Sequence, residues 1–530
     1  MAFELKSLST AQMLAQRVMP RLNGELIKDK ECMKGVQALV DAGVGGFILF
    51  GGDFWEVREG LAKLQSKAKI PLMIGSDMER GAGQQLKGAT VFPCQMAVAA
   101  SVDLGSGDGL GILSDMLEGV AEEARAAGVH VVFSPVLDVN SNPANPIICT
   151  RAFSDEPHAV SGLGERYVAG LQGGHLPVMA CIKHFPGHGD AQIDSHTHLP
   201  TIDKDRESLE EEDIYPFRRG IMAGAEAVMT AHLKVPALDP AGFPASLSYK
   251  ITHGWLRNRS NFEGLVFTDA LDMGALKGHY PPPEAAKLAV KAEADILLHP
   301  ADPAGYVKML EEIAKKRELT KDEIFAAAGR ITRAKLKYCQ SSKLSDKQVV
   351  PLLRKNQDIA DAVAQRALTL VKAAGAFPSL KELPGKVAHF VLEDDGDKRA
   401  GMTLRTTLAR KHKNVENMFI TRTDAAKLKA KAMASAKDAA VVIVSVFSKV
   451  SAGKGHSGIS EDLAELGRQL IARNRRSVAV SFGSPYILKN FMDAQYVVAA
   501  YDPGEAMQNA ACRAFAGEIF FMGELPVRLG

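Results

Sequence analysis

The chain has 530 residues, with 64 Lys and Arg against 62 Asp and Glu, a formal net charge of +2, 46% hydrophobic and 24% charged residues. That length exceeds one ordinary core and predicts two domains. A balance this near neutrality gives no one-sign field to hold nucleic acid or an anionic membrane surface, and no run of about 18 apolar residues offers a membrane span. The opening MAFELKSLSTAQML carries Glu4 and Lys6, where a secretory leader would be continuously apolar. Six cysteines (Cys32, Cys94, Cys149, Cys181, Cys339, Cys512) are scattered without a CxxC pair. They predict reduced thiols, a cytoplasmic chain and no cysteine metal site.

In chain order, eight short apolar runs read as strands, at 17–22, 45–50, 71–76, 130–135, 178–183, 225–231, 264–268 and 294–299. Most are followed by a stretch long enough for a crossover helix. Eight such units over roughly 340 residues predict an N-terminal (β/α)8 barrel, over 1–340. A doubly wound open sheet is the alternative, since a strand count does not show closure. The strand ends are polar: Asp77 and Glu79, Asp138 and Asn140, Lys183 and His184, Thr230 and His232, Thr268 and Asp269, and His299. In a barrel these ends converge on one face, where active sites lie. Taken singly, each could be a helix N-cap, Asp269 above all.

Residues 321–337 read as a last barrel helix, the polar run 340–347 breaks the pattern, and a long helix follows over 349–371. The segment 341–385 is thus a linker with a connecting helix. From 386 to 530 a second α/β pattern predicts a smaller open sheet, with strands at 387–392, 439–447, 477–482 and 496–501. No glycine-rich phosphate loop opens a helix after its first strand; Gly396, Gly401 and the glycines of 453–458 match no nucleotide motif, so no cofactor is predicted.

The run from Cys181 to His196, CIKHFPGHGDAQIDSH, is the most informative. An apolar strand breaks into a lysine, three histidines and two aspartates. Asp194 and His196 lie two residues apart, a spacing that lets a carboxylate fix an imidazole's tautomer and stabilise its cation. Asp269, at the rim after an apolar strand, can attack a carbon that develops positive charge, as in glycoside cleavage. His196 would then protonate the leaving oxygen. Lys183, His184, the planar fork of Arg151 and the acceptors of Asp77 suit a polyhydroxylated ligand. Structural salt bridges are the plainer reading of Lys183, Arg151 and Asp77. A zinc hydrolase is a further alternative, because His184, His188, His196 and His198 are close in sequence and His196-Thr197-His198 has ligand spacing. Lys183 beside His184 counts against it by placing a cation near the ion.

KHFPGHGD followed by DSH resembles the signature of glycoside hydrolase family 3, in its bacterial β-N-acetylglucosaminidase branch. Other segments fit in order: GGFILF from Gly45, PLMIGSDME from Pro71, FSPVLDV from Phe133, RAF from Arg151, MTAH from Met229, PASLS from Pro244 and VFTD from Val266. The match runs over most of 10–340 and, more loosely, to GELPV near the end. The resemblance implies a retaining mechanism without a metal, with Asp269 as nucleophile, His196 as acid/base and Asp194 as its partner. It places Asp77, Arg151, Lys183, His184 and His232 around the non-reducing sugar. The Asp-Ser-His loop favours an N-acetylglucosaminide, from cell-wall fragments or chitin oligosaccharides, over the glucosides or xylosides of related enzymes. Arg80, in Met78-Glu79-Arg80-Gly81, departs from the family pattern by adding a cation near the mouth. The run SKVSAGKGHSGIS (448–460) reads as a loop that leans over the barrel with Lys454 or His456, or as a plain surface loop. A histidine acid/base repels anions less than a carboxylate does, so phosphate is expected to compete with water as acceptor. The partner expected is a small carbohydrate; a non-catalytic sugar-binding protein is the other class of reading, and oligomeric state is left open.

Overall fold

The computed structural model describes residues 4–529 apart from Lys343, Pro378, Glu382 and Ala452; Met1, Ala2 and Phe3 of the opening run lie outside the described residues, as does Ala452 of the 448–460 run. The chain forms two compact units that interleave along the sequence. One comprises Met1–Val91, Ser114–Val139 and Glu156–Asn356, the other Phe92–Leu113, Asn140–Asp155 and Gln357–Gly530.

The first unit is a parallel barrel. Its first expected strand is split into β1 (Val18–Met19) and β2 (Arg21–Asn23). The break falls at Pro20, which has no N–H for the ladder. Then come β3 (Gly46–Phe50), β4 (Met73–Ser76), β5 (Val131–Val132), β6 (Met179–Phe185), β7 (Ala227–Thr230), β8 (Leu265–Thr268) and β9 (Leu297–Leu298). Strands β2 to β8 lie side by side in chain order. The ring closes because β9 pairs with β1, Val18 opposite Leu297, while Phe267 of β8 bridges to Ile296. Closure excludes the open-sheet alternative. The expected strand at 130–135 is cut to two residues at β5, yet its ladder continues: Cys181 N donates to Ser134 O (3.1 Å) and Lys183 N to Pro135 O (3.2 Å).

Alternate residues face the barrel axis. Met19, Ile48, Met73, Phe133, Cys181, Met229, Phe267 and Leu298 form one buried cluster, with Phe133 and Phe267 edge to face at 5.4 Å. Helix Lys321–Tyr338 adds Ile331, Ala334 and Tyr338 to it. That helix starts where expected because Thr320 and Glu323 form a reciprocal capping box. The period of two then decides what stands at the mouth. Two residues beyond Ile48, Gly75, Cys181 and Phe267 come Phe50, Asp77, Lys183 and Asp269. Arg21, paired with Ile48, shares the same face.

The second unit is a six-stranded sheet in the order β10-β15-β14-β13-β11-β12. Its strands are β10 (Thr369–Ala373), β11 (Val387–Glu393), β12 (Val415–Thr421), β13 (Val441–Phe447), β14 (Ser477–Phe482) and β15 (Tyr496–Ala499). All neighbours are parallel except β10 with β15. Two of these strands were not expected. The long helix ends at Ala367 rather than 371, and the β-branched Thr369 and Val371 go into β10 instead. β12 is an edge strand whose polar start, Val415-Glu416-Asn417, hides its alternation. Among the described residues no helix is long and apolar enough to cross a membrane.

Phe267 is fully buried and sits two residues before Asp269. Phe267→Ala is expected to destabilise the barrel by about 3–5 kcal/mol, seen as a lower urea midpoint for that unit.

Candidate active site

The site starts from a flaw in a strand. β6 pairs with β7 through Cys181, Ile182 and Lys183, then its register slips between Lys183 and Phe185. A slip of this kind re-aims side chains, and here it lets two consecutive residues serve the mouth. Lys183 is 2% exposed, and its Nζ lies 2.7 Å from Asp77 Oδ1 and 2.7 Å from Glu79 Oε1. His184 turns to Asp138, its Nδ1 2.7 Å from Oδ2. The other oxygen of Asp138 accepts from the backbone N–H of His184 (3.2 Å) and of His188 (2.7 Å). Burial opposes the charge on Asp138, but His184, His188 and these N–H groups hold its carboxyl below the usual range.

Beyond β6 the chain forms the loop that carries the Asp-His pair. Gly187, at φ +134°, lies so close to Asp213 that a Cβ would approach its Cβ to 2.7 Å, so the turn requires glycine. His188 Nε2 meets Ser195 Oγ at 2.9 Å. Asp194, 2% exposed, accepts at Oδ1 from both the N–H (2.8 Å) and Nδ1 (2.8 Å) of His196. A carboxylate oxygen can only accept, so Nδ1 carries the proton and Nε2 is the ring nitrogen that Asp194 does not engage. The loop is fastened to the segment after β8: Gly274 N donates to His196 O (3.1 Å) and Ala275 N to Ser195 O (3.3 Å). A Cβ at Gly274 would come within 2.6 Å of His196 O, so this close approach also needs glycine.

Asp269 stands at the end of β8. Its N–H donates to Thr230 O (3.0 Å) and its Oδ1 accepts from Ala270 N (2.8 Å). Burial works against its charge, but His232, His184 and His196 more than offset this and hold the carboxyl down at about 2. It is therefore an anion at neutral pH. His232, fully buried, lies 3.0 Å from Ala270 O through Nε2 and 2.7 Å from Ser246 Oγ through Nδ1. A carbonyl only accepts, so Nε2 is the donor and Nδ1 accepts from the serine. Burial pushes this imidazole's pKa down. Both ring nitrogens are thus engaged, one with Ser246 and the other with the backbone carbonyl next to Asp269.

The barrel thus brings together Asp77, Lys183, His184, Asp194, His196, His232 and Asp269. Arg151 belongs to the other unit, where its Nη1 donates to Ile147 O at 3.0 Å. Lys454 is likewise committed within that unit, to Asp395 at 2.9 Å. The four histidines with ligand-like spacing are spread over different partners, His198 to Thr197 Oγ1 at 3.0 Å. Among the described residues no three His, Cys, Asp or Glu side chains converge as metal ligands. Two groups that sequence reasoning left without a role are central: Asp138, which ties His184 to His188, and Glu79, the second carboxylate on Lys183. Both stood among the polar strand ends and within the segments from Pro71 and Phe133 that fit the family, but neither was given a task.

A barrel whose mouth joins a depressed carboxylate to an Asp-oriented imidazole can carry out displacement at an acetal carbon. The family model described as the glycosyl hydrolase family 3 N-terminal domain matches residues 9–334. The chain belongs to glycosyl hydrolase family 3. This family 3 glycoside hydrolase is 30% identical over 430 residues to beta-hexosaminidase A of Pseudoalteromonas piscicida, covering 73% of this chain and 71% of that one. It is 35% identical over 303 residues to a beta-hexosaminidase of Xylella fastidiosa strain M23, covering 56% and 83%. Among solved structures it superposes on a family 3 beta-N-acetylglucosaminidase from Paenibacillus sp. str. FPU-7 with TM-score 0.83 and 26% identity, over 99% of both chains. A beta-glucoside phosphorylase matches with TM-score 0.84 at 23% identity, over 99% of this chain and 95% of that one, which speaks for the fold alone.

Burial, partly offset by Asp138, pushes His188 from its ordinary 6.5 down to about 4. The ring is neutral in the folded protein, so its contribution to stability is present above about 6.5 and is lost as pH falls through about 4. His188→Gln keeps a partner for Ser195 and removes the titration. The acid-side loss of unfolding free energy between those pH values is expected to shrink by on the order of 3 kcal/mol, measured by denaturant titration across pH.

Proposed function

We propose that this family 3 enzyme is an exo-acting, retaining β-N-acetylglucosaminidase. The observation that carries the reading is the Asp194–His196 pair, 2.8 Å apart, on a loop bonded to the chain just beyond Asp269. The names of the relatives, beta-hexosaminidase and beta-N-acetylglucosaminidase, support the choice of sugar. Asp77, Lys183 and His184 bind the terminal sugar, and His232 positions the nucleophile. In the first step an Asp269 oxygen bonds to C1 while His196 Nε2–H protonates the departing oxygen; Asp194 stabilises the imidazolium beforehand and holds the ring throughout. In the second step the neutral Nε2 takes a proton from water, whose oxygen bonds to C1 as the Asp269 ester breaks. Phosphate can take the place of water, since no second carboxylate serves as acid/base to repel it. The substrates are cell-wall fragments or chitin oligosaccharides met in the cytoplasm; six free cysteines accord with a reducing compartment.

Initial rates on 4-nitrophenyl β-N-acetylglucosaminide, β-glucoside and β-xyloside test this. A strong preference for the first, unchanged by EDTA, is expected, with the product released first as the β anomer by NMR. Asp269→Ala should lower kcat by about 10³-fold or more, and His196→Ala by about 10²–10⁴-fold on poor leaving groups. Preference for the glucoside or xyloside would replace the substrate reading, and an unchanged rate in Asp269→Ala would remove the mechanism. With phosphate present, sugar 1-phosphate should accumulate; its absence would confine the acceptor to water.

A further inference from the structure

The groups assigned so far stand over β4 to β8 and on the loop after β6. The rest of the mouth, over β2, β3 and β9, carries a second constellation. We propose that Arg21, Phe50 and the His299–Asp272 pair form the leaving-group subsite, and that it selects a leaving group bearing a carboxylate. This rests on the roles given above to Asp269 and His196.

The placement follows from the strand pattern. Phe50 is two residues beyond Ile48 on the axis-facing side of β3 and packs, half-buried, on the interior cluster. Arg21 faces the same way, with its Cζ 5.1 Å from the centre of the Phe50 ring. His299 ends β9 at φ +50°, an uncommon backbone for a side chain of this size. Its ring sits 5.9 Å from that of Phe50, and its Nδ1 lies 2.8 Å from Asp272 Oδ1.

Chain connectivity puts this group on the departing side. Leu271 N donates to Leu298 O (2.9 Å), which fastens the stretch after Asp269 to β9. Gly274 and Ala275 then hold the loop that carries His196. From Asp269 onward the chain therefore meets, in order, the atom that bonds C1, the Asp272–His299 pair, and the anchor of the proton donor. An aglycone that takes its proton from His196 leaves beside Asp272.

The chemistry of the subsite is set by Arg21. The deeply placed arginines of this unit are committed: Arg257 and Arg330 to Asp295, Arg17 to Ala294 O, and Arg125 to Tyr338 O and Gln340 O. Arg21 is exposed, and among the described residues it forms no ion pair with a carboxylate. A guanidinium laid over an aromatic ring is pre-organised to meet a planar anion with two parallel hydrogen bonds. Phe50 offers the apolar face for the ring that carries that anion.

The test compares 4-nitrophenyl with 3-carboxy-4-nitrophenyl β-N-acetylglucosaminide, and the same two aryl β-glucosides, at low and high salt. In the native enzyme kcat/KM should favour the carboxylated member by about tenfold at low salt, mainly through KM, and salt should shrink the preference. Arg21→Met should abolish the ratio and Arg21→Glu invert it, each read against the neutral substrate of the same variant. Phe50→Ala should raise KM for both members. A ratio that is the same in the native, Met and Glu forms overturns the subsite while leaving the hydrolase reading intact. If only glucosides are cleaved, their ratio decides in the same way. No cleavage of any of the four removes the hydrolase reading and the subsite with it.

Discussion

Everything in the barrel depends on one constraint: along each strand, every second residue faces the axis. Below the mouth that constraint builds an apolar stack of Met19, Ile48, Phe133, Cys181 and Phe267. One step further it delivers Phe50, Asp77, Lys183 and Asp269 to a common space, because side chains in register across parallel strands share a face. The site is the continuation of the core by other residue types. Rigid packing below therefore fixes the charged groups above, and a site built on strand ends inherits the precision of the strands. The same alternation sends Leu22 and Leu49 outward, where both are buried as well.

Placing so many charges together is unfavourable unless each is matched. The matching is local and asymmetric. Lys183 lies between two carboxylates, Asp77 and Glu79. Asp138 is surrounded by donors and settles as an anion, which positions His184 and the N–H of His188. Asp269 is held anionic by imidazoles that are themselves tied elsewhere: His184 to Asp138, His196 to Asp194, His232 to Ser246 and Ala270. Asp269 thus has polar imidazole neighbours but, among the described residues, no ion pair of its own. A paired carboxylate would be a poorer nucleophile, since its lone pairs would already be engaged.

The βα rhythm, the polar strand ends and the Asp-Ser-His motif were legible because they are local. The barrel's closure was not, because it depends on β1 meeting β9 across 279 residues of chain, from Val18 to Leu297. Pro20 was visible in the sequence, but not that the strand would resume after it at Arg21. The edge strand β12 escaped because half-exposed strands carry a weak apolar signal. β10 escaped because Thr369-Leu370-Val371 continued a helical pattern, and only its antiparallel pairing with β15 makes it a strand. In the site, Asp138 was seen as a polar strand end but its partners were not, since they come from another strand and a loop. His232 was placed among sugar-binding groups. Its contacts to Ser246 and Ala270 were not legible, because they depend on how the 244–248 segment folds against it.

The proposed acid/base comes from a different kind of element than the other groups. Asp77, Lys183 and Asp269 stand at strand ends, whereas Asp194 and His196 sit on the loop after β6. Backbone bonds to Gly274 and Ala275 and the contact of His188 with Ser195 help to hold it. Each of these bonds is individually modest, and Asp194 orients the imidazole from within the same turn. Under the proposed mechanism the division has a use. Asp269, which has to meet C1 closely, is mounted on a strand. His196, past which an aglycone leaves and a water enters, is mounted on a loop. The glycines at 187 and 274 mark the two places where that segment is pressed against the scaffold, and a side chain at either would hold it away from Asp269.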